Sequence, residues 1–377
     1  MIYKYALTYH YLHGGGLLSA TRALDFGYSW VWTHGHLVPT ALFLGTAGIA
    51  LLAGAPAWVW LPLLALALWA FAGFLVSRFV FRVNAPLHLP VTSFLAGGSG
   101  TVLDLGCGSG RTSIMVGLER PKTEIVALDD FSADYIEGHG KAKTLRNFEA
   151  AGIYRRATIQ EGDLRSLPFD NLSFDAAVSS YAIDHLEPQE VPVALAETYR
   201  ALRNGGEFLL MVIVPNIWTV LTFSPVIFLQ FRSRRYWRRA LEVAGFRAES
   251  EGSDRGLAWF LLRKDAVDAP ADEALLGKYY SEGFGASATS PMRRMARRGH
   301  HISIWGVAAP VTLTGLSIFL VALTLRFLDV DISWWWIAAA LPIGMHAGVI
   351  LLLLAGFLRL LMRLLNGRKA RGERSPL

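Results

Sequence analysis

The chain has 377 residues, of which 53% are hydrophobic and 18% charged, with a mean hydropathy of +0.36 and a formal net charge of +6. That length holds one catalytic domain with added elements, not a large multidomain array. The single cysteine, Cys107, excludes an intrachain disulfide and any zinc site built from several cysteines.

Met1 to His36 is polar and aromatic and has no cleavage-site pattern, so no cleavable leader is expected. His10, His13, His34 and His36 lack a nearby carboxylate or cysteine to complete a ligand set, so no metal site is expected. With Tyr3, Tyr5, Tyr9 and Tyr11 they suit a membrane interface. Leu37 to Ala55 and Ala57 to Val76 follow as uncharged apolar runs joined by a very short link, a candidate transmembrane hairpin. Arg78 and Arg82 come directly after it. A different composition begins near Ser99. Short β-rich runs at Thr101–Leu105, Glu124–Leu128, Ala157–Glu161, Phe174–Ser179 and Phe208–Val214 alternate with helical patterns such as Lys141–Ala151 and Val191–Leu202. That alternation predicts a mostly parallel sheet with helices on both faces. Leu257–Leu262 is a late strand.

Ile302 to Leu325 and Ile332 to Leu358 form a second uncharged pair, interrupted only by His346, which should face the bundle interior or a cavity. Arg293, Arg294, Arg297 and Arg298 precede this pair, and Arg359, Arg363, Arg368, Lys369 and Arg371 follow it, while its inner link carries Asp329 and Asp331. The positive-inside rule then predicts four spans, with the middle domain and both termini cytoplasmic. Positive charge gathered beside apolar runs fits an anionic bilayer surface, and no nucleic-acid partner is expected. The expected organisation is an interfacial segment over 1–36, hairpin one over 37–82 and the α/β domain over 83–264. A basic linker with an interfacial helix over 265–301, hairpin two over 302–365 and a basic tail over 366–377 complete it. Self-association stays open.

The segment that carries chemistry is Val102-Leu103-Asp104-Leu105-Gly106-Cys107-Gly108-Ser109-Gly110. An apolar strand ends in an acid, then glycines alternate, then a helix begins. Glycines permit a sharp turn and close approach of a ligand, and the helix N-terminus favours a carboxylate. The spacing departs from the dinucleotide fingerprint, and no Gly-Lys-Ser/Thr follows, which disfavours NAD, FAD and P-loop chemistry. Asp129-Asp130 ends the second strand about 20 residues on, where an acid grips ribose hydroxyls. Glu161-Gly162-Asp163-Leu164, then LPFDNLSFDAAVSSYAIDHL (167–186) and LRNGGEF (202–208), complete the pattern.

With these motifs, Thr101 to about Lys264 resembles the class I S-adenosylmethionine-dependent methyltransferases, and within them the ubiquinone/menaquinone C-methyltransferase-like branch. The resemblance implies an α/β Rossmann-like domain, here carried with four transmembrane helices, that binds S-adenosyl-L-methionine and releases S-adenosyl-L-homocysteine. It implies that Asp104, Gly106, Gly108 and Gly110, with Cys107 in the same loop, cradle the methionine part. Either Asp129 or Asp130 would take the ribose hydroxyls. Asp163 would meet the adenine amino group, with the Leu164 backbone beside it.

Tyr181, Asp184 and His185 follow the fourth strand, at the mouth of such a site, and are the candidates for acid–base help. Ile217 to Phe231, broken by Pro225, is apolar and too short to span, and Arg232, Arg234, Arg235, Trp237, Arg238 and Arg239 border it. The resemblance implies that residues 215–240 are the lid over the acceptor pocket. Its composition suits either a surface that dips into the interface, with arginines meeting headgroup phosphates, or a covered helix packing on the hairpins. The expected activity is methyl transfer to a lipid or other hydrophobic acceptor: a phospholipid amine, a quinone or an isoprenoid. Two rivals are an enzyme for a small soluble or volatile acceptor with helices as anchor, and a non-catalytic sensor of the cofactor.

Overall fold

The computed structural model of the protein describes residues 24–28, 30–132, 138, 140–187, 189–223, 231–254 and 256–265. Expectations for the linker, hairpin two, the basic tail and residues 1–23 fall outside the described residues.

Residues 34–74 belong to a different compact unit from the other described residues. After the short helix α1 (Trp30–His34) come α2 (Leu37–Leu52) and α3 (Ala57–Leu75), with a π-helical turn, Val76–Phe81, continuing α3. Phe43, Ala47 and Ala50 of α2 are buried with Val59, Leu63 and Ala67 of α3. Small residues on both helices allow close approach. Gly54, at φ +71°, closes the turn between them in the left-handed region that ends many helices. Among the described residues only Ala57–Phe81, 25 residues, is long and apolar enough to cross a membrane; Leu37–Leu52 is shorter. The expected first span, Leu37 to Ala55, is thus trimmed to 16 helical residues.

The remaining described residues build a seven-stranded sheet in the order β3-β2-β1-β4-β5-β7-β6. The strands are β1 (Ser99–Leu105), β2 (Lys122–Asp129), β3 (Ala157–Glu161), β4 (Phe174–Ser180), β5 (Leu202–Ile213), β6 (Phe246–Asp254) and β7 (Leu257–Lys264). β1 to β5 pair in parallel, and β7 runs antiparallel to both β5 and β6. The crossovers carry α4 (Arg111–Glu119), α5 (Lys141–Ala150), α6 (Val191–Ala201), α7 (Ile217–Phe223) and α8 (Arg234–Val243).

Side chains on a strand alternate between faces, and here both faces are buried. Along β5, Phe208, Leu210 and Val212 enter one core, while Leu209 and Met211 enter the other. Strand order reverses between β1 and β4, so the crevice at their carboxyl ends is the place where such sheets bind ligands.

Two elements differ from expectation. β6 carries the polar sequence FRAESEGSD and buries little beyond Phe246, so it lacks the alternation that marks a half-buried strand. It pairs along β7 as an edge strand, with a register shift between Ala248 and Ser250. The fifth strand, expected from Phe208, begins at Leu202 with an irregular start, where register against β4 shifts between Phe174 and Ala176.

Trp237 of α8 has no exposed surface and sits in the core formed by β4, β5 and α6. Trp237→Ala should cost about 3–5 kcal/mol through lost burial and a residual cavity. Thermal unfolding of the purified chain reads this as a lowered midpoint.

Candidate active site

The loop at the switch point is built on glycine. The amides of Gly106 and Cys107 both donate to Leu128 O, at 2.8 and 3.0 Å, which swings the chain off β1 toward the end of β2. Gly106 has φ +76°, and a Cβ there would lie 2.2 Å from Ala182 Cβ. Ala182 belongs to the loop after β4, so the two carboxyl-end loops touch where only glycine fits. Asp129 accepts from Gly108 N through Oδ2 and from Phe131 N through Oδ1, each at 2.7 Å. Thr144 Oγ1 donates to Gly108 O at 2.7 Å, and Asn147 Nδ2 to Ser109 O at 2.8 Å. α4 starts at Arg111, directly after the last glycine.

Asp104 lies beneath this loop, fully buried. Ser113 Oγ donates to its Oδ2 at 2.5 Å, and Oδ1 has no partner among the described residues. Burial pushes the carboxyl up to about 7, opposed by the Ser113 bond and helped by the charge on Asp129.

The other sequence-derived candidates divide. Asp130 is exposed and accepts from Ser132 N and Oγ at 3.0 and 2.8 Å, so Asp129 is the acid brought to the glycine loop. Cys107 contributes its backbone, since its buried thiol meets only Gly108 O at 3.8 Å. Burial, then the charge of Asp104, pushes that thiol well up, so it stays protonated and unreactive. Asp163 is engaged by Arg165, whose Nη2 stands 2.5 Å from Oδ2 and which also pairs with Glu190. The Arg165 guanidinium holds the Asp163 carboxyl below the usual range, and any ligand at Asp163 must share it with that arginine. Leu164 packs against the core and lies 3.8 Å from the Cβ position at Gly106.

Tyr181, Asp184 and His185 come together in the loop after β4. Tyr181 adopts φ +58°, and its amide donates to Met211 O at 3.1 Å. Burial pushes its phenol above the ordinary range, so near neutrality it can donate a hydrogen bond but is a poor base. Asp184 and His185 lie in the 3₁₀ turn Ile183–His185. Asp184 is 5% exposed; its Oδ2 accepts from Ile213 N at 3.2 Å, and its Oδ1 has no partner among the described residues. A buried carboxylate oxygen left unsatisfied is costly unless a ligand supplies the donor.

The arginine–tryptophan border of the lid turns inward in part. Arg232 is 3% exposed and stacks beside Tyr236 and Trp237, at 5.1 and 5.6 Å. It donates to the carbonyls of Asp184 and Leu186 at 3.4 and 3.1 Å. Arg238 pairs with Glu251 and Arg239 with Glu242. Arg232 thus holds the loop after β4 rather than headgroups, while Arg238 and Arg239 stay at the surface in ion pairs. Composition alone could not separate the two, since an inward and an outward arginine read alike in sequence. Residues 24–28 also depart from the interfacial reading of 1–36: Phe26 is buried, and its carbonyl accepts from Ser109 Oγ at 3.0 Å.

Residues 102–206 match a family model described as a methyltransferase domain. That stretch is similar to methyltransferase domains, the curated quinone methyltransferases among them. The chain is 32% identical over 115 residues to the ubiquinone/menaquinone biosynthesis C-methyltransferase UbiE of Citrifermentans bemidjiense, covering 30% of this chain and 46% of that one. It is 30% identical over 122 residues to the chloroplastic 2-phytyl-1,4-beta-naphthoquinone methyltransferase of Arabidopsis thaliana, covering 32% and 45%. Against the malonyl-[acyl-carrier protein] O-methyltransferase of Herminiimonas arsenicoxydans it is 28% identical over 204 residues, covering 52% and 68%. The chain thus spans about half the length of the quinone relatives it matches.

The residues present fit S-adenosylmethionine. The partnerless Oδ1 of Asp104, buried beneath the glycine loop, offers a negative group for a cationic ligand. Asp104 and the glycine loop would hold the methionine part and Asp129 the ribose, while Asp163 lies at the end of β3. A pH dependence follows. The native state keeps a proton on Asp104 between about 3.8 and about 7 that the unfolded chain has released. Its contribution to stability is therefore present at low pH and declines as pH rises through that window. A cation binding beside the ionised form reverses the preference. S-adenosylmethionine affinity should climb by up to about tenfold per pH unit below 7 and level above it. Calorimetry across pH 5.5–8.5 tests this, and Asp104→Asn should flatten the slope.

Proposed function

We propose that the protein is a membrane-embedded methyltransferase that moves a methyl group from S-adenosylmethionine to a lipid or other hydrophobic acceptor. The observation that carries this reading is a methyltransferase domain joined to a helix, Ala57–Phe81, whose apolar side chains are left uncovered. Leu68, midway along it, is 61% exposed, and Leu61 and Phe71 are exposed as well. Core helices of soluble domains do not leave such residues bare. Hairpin two would add a second pair of spans, with the domain and both termini on the cytoplasmic side.

The acceptor mouth supports the same class. α7 starts a few residues after β5, whose Ile213 amide touches Asp184. Asn216 caps α7 through Trp218 N and Thr219 N, at 2.9 and 3.1 Å, and donates to Gly256 O at 2.7 Å. A Cβ on Gly256 would meet both Phe81, at the end of the apolar helix, and Trp218. The turn therefore fastens α7 beside that helix end, with Ile217 63% exposed. A helix of 25 residues is about 37 Å long, enough to cross a hydrocarbon core of about 30 Å. An apolar α7 with Ile217 and Trp218 exposed suits a lipid-borne acceptor.

The cofactor supplies an electrophilic methyl on a sulfonium. The chain's residues hold donor and acceptor in line and exclude water, which favours a step in which charge is lost. Where the acceptor carries a proton, Asp184 Oδ1 takes it as the new bond to carbon forms, and Tyr181 donates a hydrogen bond to the acceptor.

Incubating the purified chain with methyl-labelled S-adenosylmethionine and total membrane lipid, followed by mass analysis, tests this. Label in a lipid-extractable species is expected. Label only in water-soluble acceptors would favour helices that merely anchor the domain. Cofactor binding with no transfer to any fraction would favour a sensor.

A further inference from the structure

The apolar helices α2 and α3 are flanked in the chain by residues 24–28 on one side and 82–85 on the other. Both flanks are tied to the glycine loop, at neighbouring positions. On the inbound side, Ser109 Oγ donates to Phe26 O at 3.0 Å. Asn147 clasps Asp25 through both amide atoms, with Asp25 N to Oδ1 at 3.0 Å and Nδ2 to Asp25 O at 2.8 Å. The same Nδ2 reaches Ser109 O at 2.8 Å, and Lys143 Nζ pairs with Asp25 at 2.6 Å. On the outbound side, Arg111 Nε donates to Ala85 O at 2.8 Å and Nη2 to Arg82 O at 3.0 Å. The Arg111 guanidinium also lies 5.9 Å from the Phe26 ring, and Asn84 Nδ2 joins the flanks by donating to Tyr28 O at 3.0 Å.

Arg111 is buried, and among the described residues its hydrogen bonds go to backbone carbonyls rather than a carboxylate. Desolvating a guanidinium is expensive, and simple packing could be done by an apolar residue. A rigid planar fork is suited to holding two carbonyls in fixed register with the first turn of α4. The loop that seats the cofactor is thus ordered from both sides by the segments that lead into and out of the apolar helices.

We propose that Ser109 and Arg111 are positioning residues that couple cofactor affinity to the docking of these two flanks. The inference rests on the reading that the glycine loop binds S-adenosylmethionine. By reciprocity, cofactor binding tightens the flanks by the same factor that docked flanks tighten the cofactor. Couplings of this kind run from about 5- to 150-fold.

Hydrogen exchange on the full chain in phosphatidylcholine/phosphatidylglycerol nanodiscs, with and without S-adenosylhomocysteine, tests the coupling. In the unaltered chain the product should slow exchange at 24–28 and 82–85, as well as at 106–110, by tenfold or more. Arg111→Ala should abolish the slowing at 82–85 and weaken product binding about tenfold, and Arg111→Lys should recover part of both. Should Arg111→Ala fail to fold, Asn84→Ala removes only an exposed link, and should at least halve the slowing at 82–85. Product-induced slowing confined to 106–110, or Arg111→Ala binding product like the unaltered chain, overturns the proposal. Unchanged slowing in Asn84→Ala does so too. Absence of any product binding would instead sink the cofactor reading, and the coupling with it.

Discussion

Gly106→Ala is expected to remove most cofactor affinity while leaving the sheet assembled. The added Cβ would stand 2.2 Å from Ala182 Cβ, and Ala182 has no longer side chain to swing aside. The backbone there, at φ +76°, is also in a region that L-residues enter at about 1–2 kcal/mol. Overpacking adds about 1–3 kcal/mol. Together about 2–5 kcal/mol falls on the contact between the two loops that form the site, a loss of about 30- to several-thousand-fold in binding. Calorimetry with S-adenosylhomocysteine measures it, and circular dichroism checks that the fold persists. Affinity within threefold of the unaltered chain would mean that the loop does not seat the cofactor.

Asp184→Asn is expected to lower kcat by about 10²–10⁴ if the acceptor surrenders a proton, the usual range for loss of a general base. Asparagine is close in shape, and its side-chain oxygen can still accept from Ile213 N, the bond now made by Asp184 Oδ2. Cofactor binding should therefore hold while turnover falls. The rate should recover in part at high pH, where more of the acceptor has already ionised. Equal loss at every pH, together with a weakened fold, would mark Asp184 as a structural carboxylate. Steady-state kinetics over pH 6–10 separates these outcomes.

The parts of this site legible in sequence are those that backbone geometry forces. Alternate glycines after β1 are needed because Gly106, Gly108 and Gly110 all take positive φ, and that pattern is visible without a structure. The parallel strands were legible because both faces are buried, which leaves short continuous apolar runs such as Phe208–Ile213. β6 was not, because an edge strand needs no apolar alternation and its Arg and Glu side chains carry ion pairs instead, Arg238 with Glu251 among them. The choice between Asp129 and Asp130 was also hidden, since sequence does not show at which of the two the strand ends, and only the structure shows that Asp129 meets Gly108. Asp25, Phe26 and Tyr28 fell within a segment assigned to the interface. Five residues carry no periodicity, and their partners Asn147, Ser109 and Asn84 lie far along the chain. Arg232 was misplaced for the same reason, since its contacts are two carbonyls in the loop after β4.

The most direct test of the central claim is calorimetric titration of S-adenosylhomocysteine into the detergent-solubilised chain, alone and as Asp129→Ala. The account expects saturable binding near one site per chain, lost or weakened at least 100-fold when Asp129 no longer holds Gly108 and the ribose hydroxyls. Equal binding in both proteins, or none in either, would contradict it.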